Sequence, residues 1–220
     1  MVGAEYSVSI LERNWLSEDT FTLVCSRPKQ FSFVAGQHVT LGHQGQAREY
    51  SILASPMGDT LHFLIKRVDQ GQMSNVLAEL EVGTTLGMSK AQGYLVYRPT
   101  DRPVYFVANG VGIAPFVAMA AAGITGFTIL HGARELSGLL YRQELLPAAD
   151  RYIPCVSGPV KQGTMVLDLH RGRVTDYLDR YLKPGVYDFY LCGSSAMIHD
   201  VTHLLDRYCP GTRIYSESFT

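Results

Sequence analysis

Arg48-Glu49-Tyr50-Ser51 lies inside a run, Ala47 to Leu53, that reads as a β-strand bounded by Gly42 and Gly45 on one side and Pro56 and Gly58 on the other. Residues two apart on a strand share a face, so Arg48 and Tyr50 point the same way with Ser51 beside them. A guanidinium presents planar donors that match phosphate oxygens, and a tyrosine ring offers a flat surface to a heteroaromatic. The same four residues also describe a strand with one solvent-facing arginine and one core tyrosine.

Four further pieces follow in order. Gly71-Gln72-Met73-Ser74 opens a helix, Asn109-Gly110-Val111-Gly112-Ile113-Ala114-Pro115-Phe116 follows a strand, Tyr190-Leu191-Cys192-Gly193 ends another strand, and Glu217-Ser218-Phe219-Thr220 closes the chain. In this order the five pieces, spanning roughly Phe33 to Phe219, resemble the ferredoxin–NADP reductase superfamily of FAD-containing NAD(P)H reductases. The resemblance implies a six-stranded antiparallel β-barrel that binds FAD, followed by an α/β parallel-sheet (Rossmann-like) domain that binds NAD(P).

Composition agrees with two domains. The chain has 220 residues, 46 % of them hydrophobic and 18 % charged, which is ample for two cores. A formal net charge of −1 argues against a nucleic-acid binder that works by neutralising phosphates. No apolar run approaches the ~20 residues of a membrane span. The N-terminus shows no basic segment followed by an apolar one, so a cytoplasmic protein is expected. Cys25, Cys155, Cys192 and Cys209 are too far apart in sequence for an iron–sulfur loop or zinc knuckle, and read as reduced thiols.

The expected domains are 1–98 and 99–220, divided within the polar, proline-bearing Arg98–Pro103 segment. In the first, short alternating strands form an antiparallel barrel, interrupted by a helix with Ser74 as its N-cap and Gly83 as its stop. The free N–H groups of that helix start suit a phosphate. The resemblance implies that Gly71, Met73 and Ser74 bind the FAD diphosphate opposite Arg48, and that Ile65 and Lys66 lie where backbone atoms hold flavin. In the second, continuous apolar strands alternate with helices, which implies a parallel sheet with ligands at the carboxyl ends of its strands. Gly110, Gly112, Cys192 and Gly193 all fall at such ends.

Gly110-x-Gly112-x-x-Pro115 departs from the usual dinucleotide fingerprint by a proline, which a helix start tolerates because its N–H has no partner there. Relatives carry Gly-Thr-Gly-Ile-Ala-Pro; here Val111 replaces the threonine, and Asn109 stands where a small residue is usual. Arg134 could pair with the 2′-phosphate of NADP, and the adjacent Glu135 with the free 2′-hydroxyl of NAD. Gly158 stands after Ser157 where NADP-specific relatives often place arginine, so the balance favours NADH.

By resemblance, FAD lies in the cleft between the domains, Tyr50 stacks on its ring, and Ser51 reaches towards N5. Cys192 lies by the nicotinamide, Glu217 is a nearby carboxylate, and Phe219 covers the other flavin face. The expected activity is hydride uptake from NAD(P)H and one-electron delivery to a protein acceptor: ferredoxin, flavodoxin or an oxygenase component. A reductase that uses free flavin as substrate, and a non-catalytic electron-transfer or binding subunit, are the alternatives.

Overall fold

Apolar and polar residues alternate along β1 (Tyr6–Trp15), while β2 (Thr20–Ser26) is buried almost throughout. With β3 (His38–His43), β4 (Gln46–Ser51), β5 (Thr60–Lys66) and β6 (Thr85–Met88) they form a sheet in the order β4-β3-β6-β1-β2-β5, every described pair antiparallel. An isolated bridge between Ile52 and Phe63, with the Leu53 N–H donating to the His62 carbonyl at 2.8 Å, brings the two ends together. The result is a nearly closed six-stranded barrel. Phe21, Leu23, Val39, Leu41, Ile52, Leu61 and Phe63 fill it.

The β3–β4 turn decides what the barrel presents. Gln44 and Gly45 both have positive φ, +47° and +87°, which suits the right-handed twist of a two-residue hairpin. That turn sets a register with Leu41 opposite Arg48 and Val39 opposite Tyr50. Directly opposed residues share a face, so Arg48 and Tyr50 both stand on the face that carries the core residues Leu41 and Val39.

One helix, α1 (Gln72–Glu79), adds Met73, Leu77 and Ala78 to that core. Its ends differ from the expectation. Gly71, extended at φ −76° and ψ 123°, is the N-cap, and Ser74 is the third helical residue. Ser74 folds back over Gly71: a Cβ on Gly71 would lie 2.6 Å from its Oγ. The helix stops at Leu80, before Gly83, because Arg13 on β1 takes its last carbonyls, donating to Leu77 at 3.2 Å and also to Leu80.

The computed structural model describes residues 4–219, so Thr220 lies outside the described residues. The chain divides into two units, Met1–Val96 and Tyr97–Thr220. The second holds β7 (Val104–Asn109), α2 (Ala114–Ala121), β8 (Phe127–Ala133), α3 (Arg142–Leu145), β9 (Ala149–Val156), β10 (His170–Arg171), α4 (Val174–Tyr181), β11 (Asp188–Gly193), α5 (Ser195–Tyr208) and β12 (Arg213–Ser218). The sheet order is β10-β9-β8-β7-β11-β12, all parallel. Strand order reverses at β7, which places a ligand crevice at the carboxyl ends of β7 and β11.

Alternate residues of β7 serve the two faces. Val107 joins the core beneath α4 and α5, while Phe106 stacks on Phe116 of α2 with ring centroids 4.6 Å apart. Two elements take their bounds from local geometry and pairing. α3 begins only at Arg142, because Tyr141 is left-handed at φ +57°. β12 extends from Arg213 to Ser218, six residues, because it pairs along the whole of β11.

Candidate nucleotide-binding sites

In the first unit the side chains of β4 grade from water to core. Arg48 is exposed, while Tyr50 is 8 % and Ser51 5 % exposed. The Tyr50 hydroxyl is buried and makes no hydrogen bond. Burial raises its pKa and the nearby Arg48 charge opposes that shift, so the phenol stays neutral and keeps its proton to donate. A buried hydroxyl without a partner costs about 1–3 kcal/mol. A ligand acceptor placed beside Arg48 would remove that cost.

α1 lies against β4 in the same unit and begins without a side-chain cap. Gly71 has no side chain to accept from its first N–H groups and no acidic residue stands in its first turn, although Met73 and Ser74 there are buried. Asn75 braces the loop before it, donating to the carbonyls of Val68 at 3.1 Å and Gly71 at 2.6 Å. An uncapped helix start offers N–H donors and a positive dipole end, which suits an anion such as a diphosphate. Ile65 is buried at 1 % exposure. Lys66 turns outward and pairs with Asp19 at 3.2 Å, so its ammonium is directed away to that carboxylate. The cradle suits a flat ring with an anionic tail, as FAD requires.

In the second unit β7 ends in a 3-10 turn, Gly110–Ile113, leading into α2, with Pro115 in its first turn. Two glycines are there for different reasons. Gly110 sits at φ +55° with open space around it. Gly112 is crowded: a Cβ would lie 2.3 Å from the Cys192 carbonyl oxygen and 2.8 Å from Gly193 Cα. Gly193, at φ +149°, would bring a Cβ within 2.0 Å of Asn109 Oδ1. Backbone therefore meets backbone across the ends of β7 and β11, and the exposed Gly110 edge is open to a pyrophosphate.

Cys192 is fully buried, and burial first, then the Glu217 carboxylate, holds its thiol well above its ordinary pKa. It is no thiolate nucleophile; what it presents to the turn is its carbonyl. Glu217 is Cys192's partner on β12 and is half-buried, and the Phe219 N–H donates to the Gly193 carbonyl at 3.0 Å.

The ends of β8 and β9 are tied together. Gly158 donates to the Arg134 carbonyl at 2.8 Å, and Ser157 to the Ala133 carbonyl at 3.1 Å. A Cβ on Gly158 would lie 2.4 Å from that Arg134 oxygen and 3.3 Å from Arg134 Cγ. The stem of the exposed Arg134 thus passes over Gly158, and Glu135 beside it is exposed as well.

Two family models match: the oxidoreductase FAD-binding domain over residues 7–97 and the oxidoreductase NAD-binding domain over residues 106–203. The chain belongs to the ferredoxin–NADP reductase superfamily. Among relatives of this superfamily, it is 29 % identical to the toluate 1,2-dioxygenase electron transfer component of Pseudomonas putida, covering 92 % of this chain and 63 % of that one. It is also 29 % identical to ferredoxin–NADP reductase A of Sorangium cellulosum, covering 94 % and 84 %. The fold superposes on a ferredoxin NADP+ reductase from Neisseria gonorrhoeae, solved with FAD and NADP, with a TM-score of 0.84 at 22 % identity over 97 % and 98 % of the two chains. The chain spans less than two thirds of the length of the curated relatives it first matches.

As a member of this superfamily the chain carries an FAD-binding domain and a pyridine-nucleotide domain, and the candidate residues are distributed between them. Arg48, Tyr50, Ser51, Ile65, Lys66, Gly71, Met73 and Ser74 fall in the first unit. Gly110, Gly112, Pro115, Arg134, Cys192, Gly193, Glu217 and Phe219 fall in the second. Arg13, Asn75 and the packing of Gly158 on Arg134 are not legible in the sequence motifs. Arg13 and Gly158 act on backbone atoms distant in the chain, and only the Asn75-to-Gly71 spacing is a local signal.

Proposed function

We propose that this chain is an FAD-dependent NAD(P)H reductase that takes a hydride from NADH and delivers electrons one at a time to a separate acceptor, such as ferredoxin, flavodoxin or an oxygenase component. The observation that carries the reading is the Tyr50 hydroxyl: buried, unpartnered and near the Arg48 charge, on the strand against which α1 lies. Bound FAD supplies the chemistry that turns a two-electron donor into a one-electron source.

The chain's own residues do the binding and orienting. Arg48 and the N–H groups of Gln72 to Ser74 hold a diphosphate. The Tyr50 ring forms one wall for a flat heterocycle, and Ser51 supplies a hydroxyl at that wall. On the second unit Gly110, Gly112 and Pro115 receive the nicotinamide nucleotide. Cys192 and Gly193 shape the floor of its crevice, Glu217 sets the local charge, and Phe219 supplies an aromatic face. Ile65 and Lys66 contribute backbone donors.

NADH is favoured over NADPH because Gly158 leaves no side chain after Ser157 and Glu135 stands exposed beside Arg134. The expected domain division, 1–98 and 99–220, assigns FAD to the first part and the nicotinamide to the second. Four free cysteines support work in a reducing compartment such as the cytoplasm. No helix among the described residues is long and apolar enough to cross a membrane.

Anaerobic mixing of the FAD-loaded protein with NADH and with NADPH, followed at the flavin absorbance, tests this. The expected result is a yellow protein bleached faster by NADH. A protein that retains no FAD but reduces free flavin would transfer the assignment to a flavin reductase. Retained FAD that neither nucleotide bleaches would sink the enzyme reading altogether.

A further inference from the structure

We infer that Asn109 is a positioning residue that sets the width of the crevice at the strand-order reversal, and so the affinity for the nicotinamide nucleotide. The inference rests on the reductase reading above. Backbone pairing between β7 and β11 ends at Ala108 and Cys192. One residue further, β7 still pairs with β8 through Asn109 and Gly132 but no longer with β11. The crevice opens at that point, and the Asn109 side chain bridges it.

The bridge is reciprocal. Asn109 Nδ2 donates to Ser194 Oγ at 3.0 Å, and the Ser194 N–H donates to Asn109 Oδ1 at 2.9 Å. Ser194 is also the N-cap of α5, its Oγ accepting from the Met197 N–H at 3.3 Å. One asparagine therefore joins the end of β7, the turn after β11 and the start of a 14-residue helix. Gly193 must be glycine beneath it, because a Cβ would meet Asn109 Oδ1 at 2.0 Å. On its far side Gly193 is held by the Phe219 N–H at 3.0 Å. Gly193 and Ser194 are thus held from both strands that flank β11.

A small residue at position 109 could close neither hydrogen bond. The Gly193–Ser194 turn would then be free to move away from Gly110 and Gly112. A nucleotide lying over that edge would have to order the turn itself, and its affinity would fall by that cost. Since the turn is ordered equally for substrate and for transition state, the loss belongs in binding and not in turnover.

The test uses the FAD-loaded full chain. Asn109→Ala should raise the calorimetric Kd for NAD+ and the KM for NADH about tenfold, the loss of roughly one to two net hydrogen bonds, with kcat within about twofold. Amide exchange at Ser194 and Met197 should quicken in the same variant. Asn109→Asp, which can still accept from the Ser194 N–H and hydroxyl, should restore that protection. Ser194→Ala should add little to Asn109→Ala, since both break one bridge. An Asn109→Ala variant with unchanged exchange and a Kd within twofold of wild type overturns the inference alone. A wild type that neither binds NAD+ nor is reduced by NADH overturns the reductase reading, and this inference with it.

Discussion

The two glycine turns proposed to receive phosphate are built in opposite ways. Gly71, before α1, has an ordinary backbone conformation, but a Cβ there would lie 2.6 Å from the Ser74 hydroxyl and would also meet Val68. Gly110, after β7, has open space but a φ of +55°, while a Cβ on its neighbour Gly112 would lie 2.3 Å from the Cys192 carbonyl oxygen. A hydroxyl can rotate away; a carbonyl at the end of a central strand cannot. The first turn is therefore tolerant, and in the proposed function its specificity comes from Arg48 outside it. The second is rigid, and its shape is set by the sheet that surrounds it.

Gly112→Ala should show the largest effect. The methyl group has nowhere to go, so unfolding in urea should reveal a loss of about 3 kcal/mol, the upper end of overpacking costs. A variant as stable as wild type would mean that β7 and β11 can part at this point. Arg48→Ala comes next and separates binding from folding. FAD affinity, read by fluorescence of released flavin, should fall about 10- to 100-fold, the worth of charge-assisted hydrogen bonds at about 1.5–3 kcal/mol. Stability should stay within about 0.5 kcal/mol, because the side chain is exposed. A stability loss with unchanged flavin binding would reverse the roles of the two turns. Gly71→Ala should be mildest, costing about 1 kcal/mol. Removing the obstacle in Gly71→Ala/Ser74→Ala should recover most of that loss in the same unfolding measurement; additive losses would show that Val68, and not the hydroxyl, is the constraint.

The fold is legible in the sequence where local chemistry and tertiary structure agree. Strand alternation, the glycines and proline that bound the Ala47–Leu53 run and the glycine spacing after Ala108 each act over a few residues, and they suffice for a barrel followed by a parallel sheet. The helix cap is Gly71, three residues before the expected Ser74. Serine is a good cap in general, and only the packing of its hydroxyl over Gly71 shows that it is not the cap in this fold. Cys192 reads as a nucleotide contact by its motif, but complete burial leaves its carbonyl, not its thiol, at the turn.

What the amino-acid order settled by itself was the list of parts: an arginine and a tyrosine two apart on one strand, a glycine-led helix, a two-glycine turn after a buried strand. What it left to tertiary structure was every relation between residues far apart in the chain. Gly112 is forced by Cys192, Gly158 by Arg134, and Asn109 finds Ser194 at 85 positions' distance. Such constraints come from excluded volume and hydrogen-bond geometry between strand ends, and those exist only once the parallel sheet has set its neighbours in order.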